Sequence, residues 1–152
     1  MDIKDFDKYF ARLSREVQQA ISADLPPKIG NLAVRMFKQN FQQQGFFGQR
    51  WQDVKRRTNP PKGKESLAAA RRPILTGSSG NLGRSIHFTT QPGKVIVQSD
   101  LPYSSAHNYG TNNAGRSHNV HIPQRQFIGE HPQLESEIEK LIEKELLKAF
   151  DK

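Results

Sequence analysis

At 152 residues the chain is one domain by length, able to bury ~70% of its unfolded surface, but 34% apolar residues and a mean hydropathy of −0.76 leave little material for a core. Such a core is small, or is completed by neighbouring subunits. The chain has no cysteine, which excludes a disulfide framework and a thiolate metal site, and no apolar run approaches the ~18–20 residues of a membrane span. The net charge of +8 is uneven: Arg50 to Arg72 carries eight basic against two acidic residues, while Glu130 to Lys152 carries seven acidic against four basic. A basic middle and an acidic end can attract a polyanion, or one another between subunits.

The N-terminus, Met1-Asp2-Ile3-Lys4-Asp5, lacks the basic and apolar regions of a signal peptide, so a cytoplasmic protein without membrane association is expected. Asp2 to Ser22 reads as an amphipathic helix capped by Asp2. Ile3, Phe6, Phe10, Leu13, Val17 and Ile21 recur at spacings of three and four and form one apolar stripe. Leu25-Pro26-Pro27 is expected to stop it. A second helix runs from about Pro27 to Gln44, burying Ile29, Leu32, Ala33, Met36, Phe37 and Phe41, with Gly45 as its left-handed cap.

From Gly45 to Pro73 regular structure is expected to fade. Phe46, Phe47 and Trp51 tuck back onto the core, and a mobile basic loop occupies about residues 52–72, with a brief helical turn near Ala68-Ala69-Ala70. Leu82 to Ile86 makes a short helical turn. Ile86 and Phe88, then Val95 and Val97, alternate with other residues as in a β-hairpin. Pro92-Gly93 favours a type II turn, which matches hairpin twist poorly, so a loop longer than two residues is expected. Tyr103 to Tyr109 is a short helix with Tyr103, Ala106, His107 and Gly110 facing inward; Gly110 ends it. Thr111 to Ser117 is a loop, His118 to Ile122 a strand closed by Pro123, and His131 to Phe150 the last helix, with a Leu134, Ile138, Leu141, Ile142 and Leu146 stripe. Glu137 with Lys140, and Glu145 with Lys148, are spaced for ion pairs on its surface. The order implies one α+β domain over residues 1–152: two N-terminal helices and a C-terminal helix packed on a small antiparallel β-sheet.

Four constellations bear on chemistry. Ser104 and Ser105 lie close to His107. Nucleophilic catalysis requires a base within reach, a third group that orients it, and an oxyanion hole. Asp100 is the nearest carboxylate and no Gly-x-Ser-x-Gly elbow surrounds either serine, so no catalytic residue is assigned and His107 reads as a structural histidine. His87, His107, His118, His121 and His131 include no zinc-type spacing, and His118 and His121 on a strand point to opposite faces; no metal or cofactor is assigned. The glycine-rich Gly77 to Gly83 lacks the P-loop lysine and reads as a flexible turn. Arg50, Lys55, Arg56, Arg57, Lys62, Lys64, Arg71 and Arg72, beside the lone Trp51, suit sequence-independent phosphate contact or partner contact; a solvated charged loop accounts for them as well. No recognition helix, zinc finger or paired RNA-stacking aromatics accompanies them.

Between Phe41 and Phe150 a further order emerges. Gly48-Gln49-Arg50-Trp51 precedes the basic stretch. Ile74-Leu75-Thr76-Gly77, Leu82-x-x-Ser85-Ile86 and Val95-x-Val97 follow. Then come Tyr103-x-x-x-His107-x-x-Gly110 and Ile122-Pro123-x-Arg125-x-Phe127-Ile128-Gly129 before the final helix. In this order the motifs resemble the tailed-phage virion-morphogenesis proteins, a family that includes tail-completion proteins of contractile-tailed phages. Two departures stand out: Tyr109 precedes the glycine where another aromatic is common, and Ser78-Ser79-Gly80-Asn81 stretches a leucine–threonine–glycine–leucine core.

The resemblance implies assembly rather than catalysis. The expected protein is a structural subunit for tail completion or head–tail joining, ring-forming, in contact with other tail or connector proteins and non-specifically with phage DNA. It would be found in the host cytoplasm during assembly and then at the virion tail or neck. The alternative is a small basic nucleic-acid-binding module. Within the family reading Trp51 and Phe127 are buried or interface anchors, and His107 holds the short helix, which Gly110 ends. Arg125, flanked by Pro123 and Phe127, forks onto a carboxylate or backbone carbonyls.

Overall fold

The structure, a computed structural model, describes residues 3–60 and 62–151, without the side chains of residues 3, 4 and 64–66. The expected Asp2 cap and the Lys64 side chain lie outside the described residues. The fold is α+β. Backbone contacts group the chain into two compact units, one drawn from Met1–Ala33, Phe88–Val97 and Glu130–Lys152, the other from Val34–His87 and Gln98–Gly129.

In the first unit, helix α1 (Ile3–Gln19) does not stop at the prolines. It runs through a π-helical turn, Ala20–Asp24, into α2 (Leu25–Gln43). The Leu25 amide reaches back five residues to the Ala20 carbonyl, and Pro26 and Pro27 fall in the first turn of α2, where a missing N–H costs least. The apolar stripe of α1 is only partly covered. Phe6 and Phe10 are each 51% exposed and stack with ring centroids 4.7 Å apart, and Ile21 is also exposed. Helix α7 (Pro132–Phe150) packs against α1 and the π-helical turn, burying Leu134 and Ala149. The His131 side chain caps it, accepting from the Gln133 amide. Both surface pairs form: Lys140 with Glu137 and Lys148 with Glu145, each at 2.8 Å. Glu145 also takes Lys28, and hydrogen bonds from the two lysines hold its pKa down at about 2. A Cβ at Gly30 of α2 would run into the Phe88 ring, so glycine is the residue that lets this hairpin side chain lie on the helix.

In the second unit, Met36, Phe37 and Phe41 of α2 are buried. The left-handed residue after α2 is Gln44 (φ 55), not Gly45. Gly45 instead opens a tight hairpin, β1 (Gly45–Phe46) and β2 (Gln49–Arg50), in which a Cβ would strike the Gln49 carbonyl. Phe47 (φ 47) and Gly48 (φ 90) form its two-residue turn with both φ positive, the twist hairpins favour. The tract expected to be a loop with one brief helical turn near Ala68-Ala69-Ala70 carries two short helices, α3 (Lys55–Thr58), which was not expected, and α4 (Lys64–Arg71), which contains that turn. α5 (Asn81–Arg84) follows the glycine-rich turn.

The hairpin β3 (Ile86–Gln91) and β4 (Lys94–Ser99) closes with Pro92 and Gly93 alone, against the expected longer loop; Gly93 at φ 67 supplies the reversal that proline cannot. After α6 (Ser104–Tyr109), the segment expected as a loop forms strand β5 (Thr111–Ala114). It pairs antiparallel with β6 (Val120–Ile122) across a bulge. Among the described residues the expected single sheet is three separate two-stranded sheets. Positive-φ residues at Gln44, Gly93, Gly110 and Gly115 bound short strands and turn the chain before a wider ladder can form.

Candidate functional site

Asn108 is the inward residue of α6, 5% exposed, although the sequence reading placed Tyr103 and His107 there. Its Oδ1 accepts from the Phe127 and Ile128 amides at 2.9 and 3.0 Å, and its Nδ2 donates to the Ile128 carbonyl at 3.1 Å. From the other side Asn40 of α2, 1% exposed, donates Nδ2–H to the Phe127 carbonyl at 3.1 Å and accepts from the Phe47 amide at 3.0 Å. The main chain of Phe127 is therefore held in a clasp of two asparagine side chains in place of a β-ladder. Buried polar groups this well satisfied fix one geometry.

The same segment is secured along its length. The Arg125 amide donates to the His107 carbonyl at 2.8 Å, and Gln124 Nε2 to the Asn108 carbonyl at 3.2 Å. Arg125, 7% exposed, sends Nε to the Gln52 carbonyl at 2.9 Å and Nη2 to the Asp53 carbonyl at 3.1 Å, so its fork lands on backbone rather than on a carboxylate. Trp51 is buried and donates Nε1–H to the Gln126 carbonyl at 2.7 Å. Phe127 is 1% exposed with its ring 5.2 Å from that of Phe41, which also meets Trp51 at 5.6 Å. Gly110 takes φ 74, and a Cβ there would lie 2.8 Å from the Gln124 nitrogen. Pro123, half-buried, follows β6.

His107 is half-buried, and its Nδ1 is enclosed with no hydrogen-bond partner among the described residues. No hydrogen bond joins it to Ser104 or Ser105 among the described residues. Burial, and then the Arg125 charge, push its pKa below the usual imidazole value. A histidine depressed in the folded state binds its proton more readily when unfolded, so its contribution to stability is complete above about pH 6.5 and falls as the pH drops below it. The loss of stability between about pH 7 and pH 5 in urea melts is expected to be smaller for His107→Gln than for the parent chain. Equal losses would show that the ring is freely protonated in the fold.

His107 and Arg125 also line a cleft of about 650 Å³. Lys55, Arg56, Arg72 and His121 join them on its wall, with Asp53 the one carboxylate among the described residues; Ile74, Leu82 and Ile122 give it an apolar lining. Arg56 donates Nε to the Ala69 carbonyl and Nη2 to the Arg72 and Pro73 carbonyls. Arg57 pairs with Asp53 and donates to the Arg72 carbonyl. These two arginines are thus fastened between α3 and the end of α4, while Arg50, Lys55, Lys62, Arg71 and Arg72 stay exposed. Burial, with Arg57 and Arg72 close by, lowers the Arg56 pKa, and burial with Arg56 lowers that of Arg125: the cleft is crowded with like charge.

The remaining histidines sit apart from one another in their bonding: His87 Nδ1 meets the Ser85 carbonyl, His118 Nδ1 the Asn113 carbonyl, and His121 Nδ1 the Asn112 side chain. No group of metal-ligating side chains occurs among the described residues. Nor is any described helix long and apolar enough to cross a membrane. The residues that sequence reasoning missed are Asn40 and Asn108. Asn40 carried a signal: it interrupts the apolar face between Phe37 and Phe41, where a polar residue is kept only if bonded.

No curated protein and no solved structure matches the chain. The phage virion morphogenesis family matches over residues 1–147, which takes in the clasp, the cleft and nearly all of α7. The chain therefore belongs to the phage virion morphogenesis family.

Proposed function

We propose that this protein is a structural assembly subunit acting in tail completion or head–tail joining, that it forms a ring at the neck or tail end of the virion, and that it is not an enzyme. The observation that carries this reading is the use made of the polar groups in the two strings around His107 and Arg125. Asn108, Arg125 and Trp51 bond to main chain, where they set the position of a segment, and among the described residues no hydrogen bond joins Ser104 or Ser105 to His107. The half-exposed Phe6, Phe10, Leu147 and Phe150 support burial against neighbours, since a small apolar inventory is here not fully used within one chain. The exposed Arg50, Lys55, Lys62, Arg71 and Arg72 favour a second reading, non-specific contact with DNA.

Deleting the gene from an inducible phage genome is expected to leave heads and tails unjoined, or tails unfinished, in negative-stain micrographs of the lysate. A normal yield of complete, infectious particles would overturn the reading.

A further inference from the structure

Two surfaces of this chain complement each other chemically. One is the cleft between α3, α4 and β6, walled by Lys55, Arg56, Arg72 and Arg125 against Asp53 alone among the described carboxylates. Nη1 of Arg56 and of Arg125 has no acceptor among the described residues, although both side chains are already held in place by carbonyls. Fixed guanidinium groups with a free edge are arranged to receive carboxylates. At the rim Val120 is 49% exposed, and Ile122 lies beside it.

The other surface is the C-terminal half of α7. Glu139, Glu143, Leu147 and Phe150 recur at spacings of four, four and three, which puts them on one face of the helix. They border a shallow apolar groove with Ile142 and Leu146. Leu147 and Phe150 are 54% and 52% exposed. The segment Glu130 to Lys152 carries a net −3, against +6 for Arg50 to Arg72. Carboxylates followed by two large apolar side chains match a cleft of cations with an apolar lining, and the chain supplies both halves.

We propose that the Glu139–Glu143–Leu147–Phe150 face of α7 in one copy docks into the basic cleft of a second copy, head to tail. This rests on the ring reading above and names its joint. A contact between two different patches of the same chain leaves one cleft and one helix face open at the ends of any partial assembly, and closes into a ring when the rotation allows. The carboxylates relieve the like-charge crowding of the arginines, and the apolar tip removes Leu147 and Phe150 from water.

The chain has no native cysteine, so single cysteines can report the contact. Val120→Cys and Phe150→Cys lie at exposed positions. A short bismaleimide is expected to bridge them only when the two variants are mixed, giving one new dimer band. Self-bridging of either variant alone, or bridging confined within one chain of the double variant, overturns the proposal. Glu143→Arg and Arg72→Glu are each expected to raise the concentration of half-assembly by roughly tenfold or more in light scattering. The pair mixed in one chain is expected to restore it. If Arg72→Glu abolishes retention of duplex DNA while assembly is unchanged, the cleft is a nucleic-acid site and the docking proposal fails. If the parent chain assembles but its cysteine variants do not bridge, the joint lies elsewhere and the assembly reading stands. If the parent stays monomeric at every concentration, the docking proposal fails and the deletion phenotype alone decides the broader reading.

Discussion

Phe127→Ala is expected to lower the stability of the free chain by ~3–5 kcal/mol in urea melts. The ring is 1% exposed and packs at 5.2 Å on Phe41, so the change removes the transfer energy of a whole aromatic side chain and leaves a cavity beside Phe41. The clasp prevents easy collapse, because the Phe127 amide and carbonyl are tied to Asn108 and Asn40 and the backbone cannot slide inward to fill the space. A loss below ~1 kcal/mol would mean that Phe127 is exposed in the free subunit and serves as an interface anchor.

Asn108→Ala is the second large effect. It strips the Phe127 and Ile128 amides of their partner at once and leaves the Ile128 carbonyl only the long 3.4 Å bond from Gln126 Nε2. A buried group left unsatisfied costs ~1–3 kcal/mol, so the sum is expected to reach roughly 3 kcal/mol or more, even with partial rescue by water. Asn108→Leu separates bonding from volume. It keeps the size and loses all three bonds, and is expected to be nearly as damaging as alanine. A leucine variant as stable as the parent would show that Asn108 acts by filling space.

The long helices and the β3–β4 hairpin were legible in the sequence because their patterns are local: the α2 face of Met36, Phe37 and Phe41, the α7 stripe, and the alternation about Pro92-Gly93. Trp51, Arg125 and Phe127 stood out by residue type, since a lone tryptophan and an arginine between apolar neighbours have few comfortable places. The rest failed for identifiable reasons. Pro26 and Pro27 read as a stop, but a π-helical turn absorbs the missing donors. Thr111 to Ala114 has the composition of a loop and becomes a strand only through its partner Val120 to Ile122. The clasp depends on Asn40 and Asn108 meeting Phe127 from positions 87 and 19 residues away, a relation that no window of sequence contains.

That separation also sets an order in time. The β1–β2 and β3–β4 hairpins close over two residues each, which is a matter of microseconds once the chain collapses. The bond from Asn40 to Phe127 must bring together the ends of a much longer loop, whose closure entropy is met only after the intervening elements have formed. The segment from Pro123 to Gly129 is therefore expected to lock after those hairpins, so that in pulse-labelled hydrogen exchange during refolding the Phe127 amide gains protection later than the hairpin amides.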